Sequence, residues 1–374
     1  MTQTSEGMDG MTGNQDIGAL PIEQEAITKE LLEKALCGSF PGVKLDSFRI
    51  EDVHHGFSTV LRVHLTPAAD SSASGLPASV ILKGGFESHT RNRGKDFTYL
   101  SLEMEFHAFE MLPELGLNMP KVFSKYLDRE NAQMVILMED LTLAKVRFQR
   151  GLSPNNAQQV ARRLTALADL HSRTWGSPEL KEGGKYGGLP KNGATMFLDY
   201  LDHANYDQGE WDNYMSRPRG QACPVRFQDY DWLKRYVKYT ADMSDGLPNC
   251  VIHGDTHLGN LYEEADGTPG FFDSLARQEP GISEATYHIC NALDPIERRK
   301  HERDLVAHYR SELIARGIKV PSQWEMMHQY AAFLSLNYLT FAVNENHYQT
   351  EAFNTAHAVR AAMAIMDNNA YDLV

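Results

Sequence analysis

Two carboxylates and an amide stand in an order that suits phosphoryl transfer. In His253-Gly254-Asp255-Thr256-His257-Leu258-Gly259-Asn260, Asp255 precedes Asn260 by five positions, and Asp273 closes the run Phe271-Phe272-Asp273 beyond a turn. An aspartate can accept the proton of an attacking hydroxyl. An amide oxygen and a second carboxylate suit magnesium, a hard cation that takes oxygen ligands and shares them with substrate phosphates. The chemistry expected of this set is ATP-dependent phosphorylation of a hydroxyl group.

The surrounding residues must hold that set in place. Cys250-Val251-Ile252 is a short apolar run after the loop Gly246 to Asn249, so it reads as a buried strand with the acid at its mouth. Asn260-Leu261-Tyr262 and Gly270-Phe271-Phe272 read as two further strands around the turn Asp266-Gly267-Thr268-Pro269-Gly270, a hairpin that brings Asn260 towards Asp273. Bland readings exist for each residue: a Gly-Asp pair is usually a turn, and Asn260 serves equally as a loop-end hydrogen-bonding residue. His253 and His257, four apart with Asp255 between, suggest an imidazole and carboxylate metal site. Gly254 and Gly259 argue against the helix that would align those rings, which makes His257 a structural partner of the loop.

The order and spacing of His253, Asp255, Asn260 and Asp273 resemble the aminoglycoside phosphotransferase and choline kinase-like family. That resemblance implies an α+β, protein kinase-like two-lobed fold, with a small mixed N-lobe built on an antiparallel sheet and a larger, mostly helical C-lobe. It implies Asp255 as catalytic base, Asn260 and Asp273 as ligands of Mg2+ on the phosphates of ATP, and His253 as a brace of the catalytic loop.

The family also requires a glycine loop, a lysine strand, a glutamate helix and a hinge upstream, in that order. Phe48-Arg49-Ile50 and Val60 to Leu65 read as strands around His54 to Thr59, where Gly56 lets the backbone approach phosphates. Ala78 to Lys83 is a largely apolar strand broken at Gly84-Gly85, and Lys83 at its end would neutralise phosphate oxygens. Its bland reading is a solvated charge at a strand end. Ser101 to Leu112 is an amphipathic helix with Leu102, Phe106, Phe109 and Leu112 on its apolar side. Glu103 and Glu105 lie roughly 200° apart on it, so only one can face Lys83. The family pattern sets the acid three residues before Phe106-His107, which selects Glu103 and leaves Glu105 to solvent. Gln133 to Met138 leads into Glu139-Asp140-Leu141, the family's hinge, where backbone groups of Glu139 and Leu141 hydrogen-bond the adenine.

These placements divide the chain into a flexible N-terminal tail (1–22), a nucleotide-binding N-lobe with hinge (23–141) and a helical C-lobe with catalytic loop and substrate site (142–374). A length of 374 residues suits more than one compact unit. A helix from about Asn155 to Trp175 opens the last part; His171 near its end is expected to be packed or hydrogen-bonded and is left out of the site. No signal peptide or membrane-length apolar run is present in the sequence, and Cys37, Cys223, Cys250 and Cys290 show no paired metal spacing, which points to a reducing cytoplasm. A net charge of -14 counts against nucleic acid as partner and favours a cationic small molecule.

The acceptor is read from the segment 197–214, where acids and aromatics alternate. Asp199, Asp202, Asp207 and Trp211 are its candidate substrate-binding residues, through carboxylates for amines or an aromatic face for a quaternary ammonium. The equal alternative is an acidic helix surface with buried aromatics. Asn344, Glu345 and His347 are further candidates near the C-terminus. After Asp273 the family normally continues with an aromatic residue and Gln, then an Asp-Leu-Ala-like helix start; here Ser274-Leu275 follows, and Glu284 or Ser283 must take the place of the acid that ties down the catalytic loop. Two alternatives to a small-molecule kinase remain: a protein kinase, and a nucleotide- or partner-binding module without turnover.

Overall fold

The computed structural model describes residues 19–88, 95–191, 193–202 and 208–374. Residues 1–18 of the expected tail and Asp207 lie outside the described residues, as do the side chains of Asp199 and Asp202. The described chain falls into two compact units: residues 19–113 with 118–147, and residues 114–117 with 148–374.

The first unit is a five-stranded antiparallel sheet in the order β1-β2-β3-β5-β4, with β1 Leu45–His55, β2 Thr59–Pro67, β3 Ser79–Gly84, β4 Val122–Asp128 and β5 Gln133–Glu139. In β2 the alternation of Leu61, Val63 and Leu65 with Val60, Arg62 and His64 buries one face only. β5 is apolar almost throughout and buried on both faces, as its place inside the sheet requires. Helix α1 (Lys29–Leu36) starts on Thr28, whose hydroxyl oxygen accepts the Leu31 N–H at 3.2 Å, and delivers Leu31, Leu32 and Leu36 to the same core as Leu61, Val63 and Leu65. Helix α2 (Lys95–Glu114) buries Leu102, Phe106, Phe109 and Leu112.

The second unit is mostly helical. Helix α3 (Ala157–Ser172) begins with a reciprocal cap between Asn156 and Gln159. It is followed by α4 (Gly193–Asp202), α5 (Gln208–Ser216), the short α6 (Pro218–Gln221) and α7 (Tyr230–Ser244). Two small sheets interrupt the helices. Strand β6 (Cys250–Ile252) pairs antiparallel with β9 (Arg277–Glu279), and β7 (Leu261–Glu263) forms a hairpin with β8 (Pro269–Phe271). Helices α8 (Gly281–Ala292), α9 (Pro295–Ala315), α10 (Gln323–Val343) and α11 (Glu351–Asp367) complete the unit. α8 is buried along nearly its whole length, so polar groups it carries must find partners inside the protein. Among the described residues no helix is long and apolar enough to cross a membrane.

Candidate active site

In the sheet unit, Lys83 lies on β3 opposite Val60 of β2 and Ile136 of β5, and is 3% exposed. Its ammonium is paired with the carboxylate of Glu105, also buried. The expected partner, Glu103, instead accepts from Arg129 at 3.3 Å on the outer side of α2. Helix geometry explains the correction. Leu102, Phe109 and Leu112 stand three before, four after and seven after Glu105, so the apolar row that drives α2 inward carries Glu105 with it.

The turn between β1 and β2, which contains Gly56, is tied to the same place. Ser58 donates its hydroxyl to Glu105 Oε2 at 3.2 Å, and Thr59 donates to Glu87 Oε1 at 2.7 Å. At the end of β5 the Glu139 N–H donates to the Lys121 carbonyl at 2.9 Å, and the Glu139 carboxylate accepts the Lys121 N–H at 2.7 Å. The Glu139 N–H is therefore already engaged within the sheet unit. Leu141 is buried at the start of a tight turn held by Asp140, which accepts from the N–H and hydroxyl of Thr142.

In the helical unit, β6 ends at Ile252 and the chain turns at Gly254, where φ is +88° and an added Cβ would stand 2.1 Å from the Leu275 carbonyl oxygen. Both facts restrict that position to glycine. The Asp255 carboxylate follows at once. Its Oδ1 accepts the Tyr287 hydroxyl at 2.9 Å and its Oδ2 accepts Asn260 Nδ2 at 2.9 Å. The same Asn260 Nδ2 reaches the main-chain oxygens of Asp255 at 3.0 Å and Asp273 at 3.2 Å. The β7–β8 hairpin makes this meeting: Leu261 is opposite Phe271, and the Phe272 N–H donates to the Asn260 carbonyl at 3.0 Å.

Two histidines and a glutamate support the loop. His253 is fully buried; its Nε2–H donates to the Phe272 carbonyl at 3.1 Å while Nδ1 accepts the Asp255 N–H at 3.3 Å. Burial pushes its pKa below the ordinary value and outweighs the nearby carboxylates, so the ring is neutral in this tautomer. His257 caps the short turn Leu258–Asn260, its Nδ1 accepting the Gly259 N–H at 3.0 Å, and its Nε2 lies 3.6 Å from Asp255 Oδ2. Glu284 on α8 accepts the backbone N–H groups of His253 at 3.0 Å and Gly254 at 2.6 Å. Burial would raise the Glu284 carboxyl, but the His171 hydrogen bond above all, with the Gly254 N–H, holds it below its usual range.

The sequence reading missed several members of this cluster. His171 bonds Glu284 through Nε2 at 2.9 Å and Tyr309 through Nδ1 at 2.7 Å, wholly out of water. Nothing local marks it, because its partners lie more than a hundred residues away. Ser274 donates to the His253 carbonyl at 2.7 Å, and Arg277 donates to the Gly254 carbonyl at 2.9 Å. Tyr287 stands one helical turn after Glu284, a spacing that could have found it once Glu284 was placed.

Of the substrate candidates, Trp211 is 1% exposed, donates its indole N–H to the Gln228 carbonyl at 2.7 Å and packs beside Tyr230 and Tyr338. It is a core residue and offers no open ring face, a correction to the reading of an aromatic acceptor contact. α5 turns its large aromatics towards the helical core, and its acids outward.

With this geometry in hand, a family model described as phosphotransferase enzyme family matches residues 46–273. A solved structure assigned as an aminoglycoside phosphotransferase from Ralstonia eutropha JMP134 aligns at 13% identity and a TM-score of 0.50, covering 91% of this chain and 97% of that one. The choline kinase from Cryptosporidium parvum Iowa II aligns at 10% identity and a TM-score of 0.55, covering 89% of this chain and 93% of its own. At such identities the likeness is one of fold, the protein kinase-like arrangement. No curated protein matches the chain.

Proposed function

The chain belongs to the phosphotransferase enzyme family, and on that premise we propose that it transfers the terminal phosphoryl group of ATP to a hydroxyl of a small molecule, of the aminoglycoside, choline or other alcohol kind. The single observation that supports this reading best is the position of Asn260, whose amide joins the Asp255 carboxylate to the Asp273 main chain. Asp255 is the base: one quarter of its side chain is open to solvent, and donors on each oxygen fix its orientation for an incoming hydroxyl.

The donor set fits magnesium. Asn260 commits its Nδ2 to the loop, which supports reading its Oδ1, with the Asp273 carboxylate, as the ligands of a cation. Among the described residues no group of three or more His, Cys, Asp or Glu side chains could hold a metal. Magnesium is usually held by one or two carboxylates with waters and substrate phosphates, and a single carboxylate with an amide oxygen is compatible with that pattern. When bound, the ion would neutralise charge on the transferring phosphates. Lys83, paired with Glu105 and buried, offers a fixed positive charge of the kind that neutralises phosphate oxygens.

The test is a screen of aminoglycosides, choline and other amino alcohols for magnesium-dependent ADP formation, repeated with Asp255→Asn. Turnover should drop by about 10²- to 10⁴-fold in the variant while ATP still binds. Undiminished turnover in Asp255→Asn would remove Asp255 as the base. ATP binding with no turnover on any acceptor would favour a nucleotide-binding module.

A further inference from the structure

A single arginine separates the backbone before Asp255 from the first residue of α4. Arg277 Nη1 donates to the Gly254 carbonyl at 2.9 Å, and its Nε donates to Glu279 Oε2 at 2.7 Å. Glu279 is entirely buried. Gly193, which opens α4, faces this pair: a Cβ there would come 3.0 Å from Glu279 Oε1 and 3.1 Å from Arg277 Nε. The chain leading into α4 is fastened to the same strand. The Gln278 N–H donates to the Pro190 carbonyl at 2.8 Å, its side-chain amide donates to the Tyr186 carbonyl at 2.7 Å, and Lys191 bridges Gln278 in parallel. β9 meanwhile pairs Arg277 with Ile252, the residue before His253. One three-residue strand thus carries the catalytic loop on one edge and the approach to α4 on the other.

We infer that Arg277 and Glu279 are positioning residues that couple α4 to the Gly254–Asp255 peptide, so that an acceptor resting against α4 also sets the catalytic carboxylate. The inference deepens the phosphotransfer reading and rests on it for the role of Asp255. A guanidinium presents its donors in a rigid planar fork, so two acceptors bound to it move as one. Burial strengthens the link, because a desolvated carboxylate such as Glu279 cannot exchange Arg277 for water without cost. The start of a helix is also where a carboxylate is electrostatically favoured. The Gly254 carbonyl lies one guanidinium away from α4, so on this inference α4 belongs to the acceptor's surroundings and Gly193 is a position where size matters.

The experiment compares amide hydrogen exchange in the full-length protein and in Gly193→Val, with no substrate present. The variant should accelerate exchange of peptides covering 250–262 by about tenfold, roughly the loss of one hydrogen bond, while peptides from α9 and α10 stay unchanged. Faster exchange confined to α4 would overturn the coupling. Should Gly193→Val lose protection everywhere, Gly193→Ala and Arg277→Lys, which keeps charge but not the fork, are read in the same way. Because this measurement needs no turnover, its failure is separate from failure of the phosphotransfer reading. Once an acceptor is identified, Gly193→Ala should raise its KM several-fold and leave the KM for ATP unmoved; an equal change in both would mark a merely structural role.

Discussion

Glu284 accepts the Gly254 N–H at 2.6 Å, and through that bond a residue of α8 holds the peptide that precedes Asp255. The same carboxylate takes the His253 N–H and the His171 ring, so three donors depend on one buried acid. Replacing it with Gln leaves at least one of those donors unsatisfied, which should cost about 1–3 kcal/mol in urea unfolding. The sign of the pH dependence follows from its lowered pKa. The native state keeps Glu284 ionised where the unfolded chain, near 4.5, begins to protonate, so its stabilisation is present above that value and is lost as pH falls through the native pKa. Glu284→Gln should flatten the fall in stability below pH 4.5; an unchanged acid limb would contradict this account.

Burial depresses the pKa of His288 to about 3, and its Nδ1–H donates to the Thr256 carbonyl at 2.9 Å beneath the catalytic loop. The unfolded chain takes up this proton near pH 6.5 and the native chain does not. Its contribution is therefore full above 6.5 and declines with falling pH at about 1.4 kcal/mol per unit until the native value is reached. His288→Gln, compared with the parent from pH 7 to 4, should lose one proton's worth of that slope. The wild-type slope in the variant would rule out His288 as its source.

Glu105 and Glu103 make a paired test of the nucleotide side. Glu105→Gln removes the Glu105 charge from beside the buried Lys83 ammonium and should destabilise by about 3–5 kcal/mol and weaken ATP binding. Glu103→Gln removes an ion pair with an exposed arginine and should change stability by about 0.5 kcal/mol or less. Denaturant melts and ATP titrations of both variants decide which acid serves Lys83.

Trp211→Ala separates packing from recognition. A fully buried indole lost from this aromatic cluster should cost about 3–5 kcal/mol in stability, and below the melting transition leave the acceptor KM within a few-fold of the parent. A large rise in KM in a variant of unchanged stability would restore Trp211 to the acceptor site.

Local chemistry made the catalytic loop legible: apolar Cys250-Val251-Ile252, the turn at Asp266-Gly267 and the spacing of Asn260 and Asp273 together specify a strand and a hairpin. The kinase-like α+β fold was legible only through the family resemblance of this loop; the residue pattern itself marked strands at Val60 to Leu65 and Gln133 to Met138. Glu105 was also legible, because it repeats the spacing of Leu102, Phe109 and Leu112, a helix periodicity that conflicts with the family spacing pointing to Glu103. The partners of His171 and the role of Arg277 were not legible, because folding brings those residues together, and Tyr287 was legible only from the position of Glu284. Trp211 failed for a related reason: alternating acids and aromatics fit a binding surface and an amphipathic helix equally, and only packing tells them apart.

The backbone at Asp273 sits in the left-handed region, with φ at +55°. Apart from glycine, aspartate and asparagine are among the few residues that adopt it readily. If Asp273 holds magnesium as proposed, the position is restricted twice, by its main chain and by its carboxylate, and the two restrictions can be pulled apart. Asp273→Asn keeps the turn and discards the charge, whereas Asp273→Glu keeps the charge and burdens the turn. A protein whose magnesium dependence tolerates neither exchange would have a residue there that drift cannot replace by its nearest chemical or its nearest conformational relative.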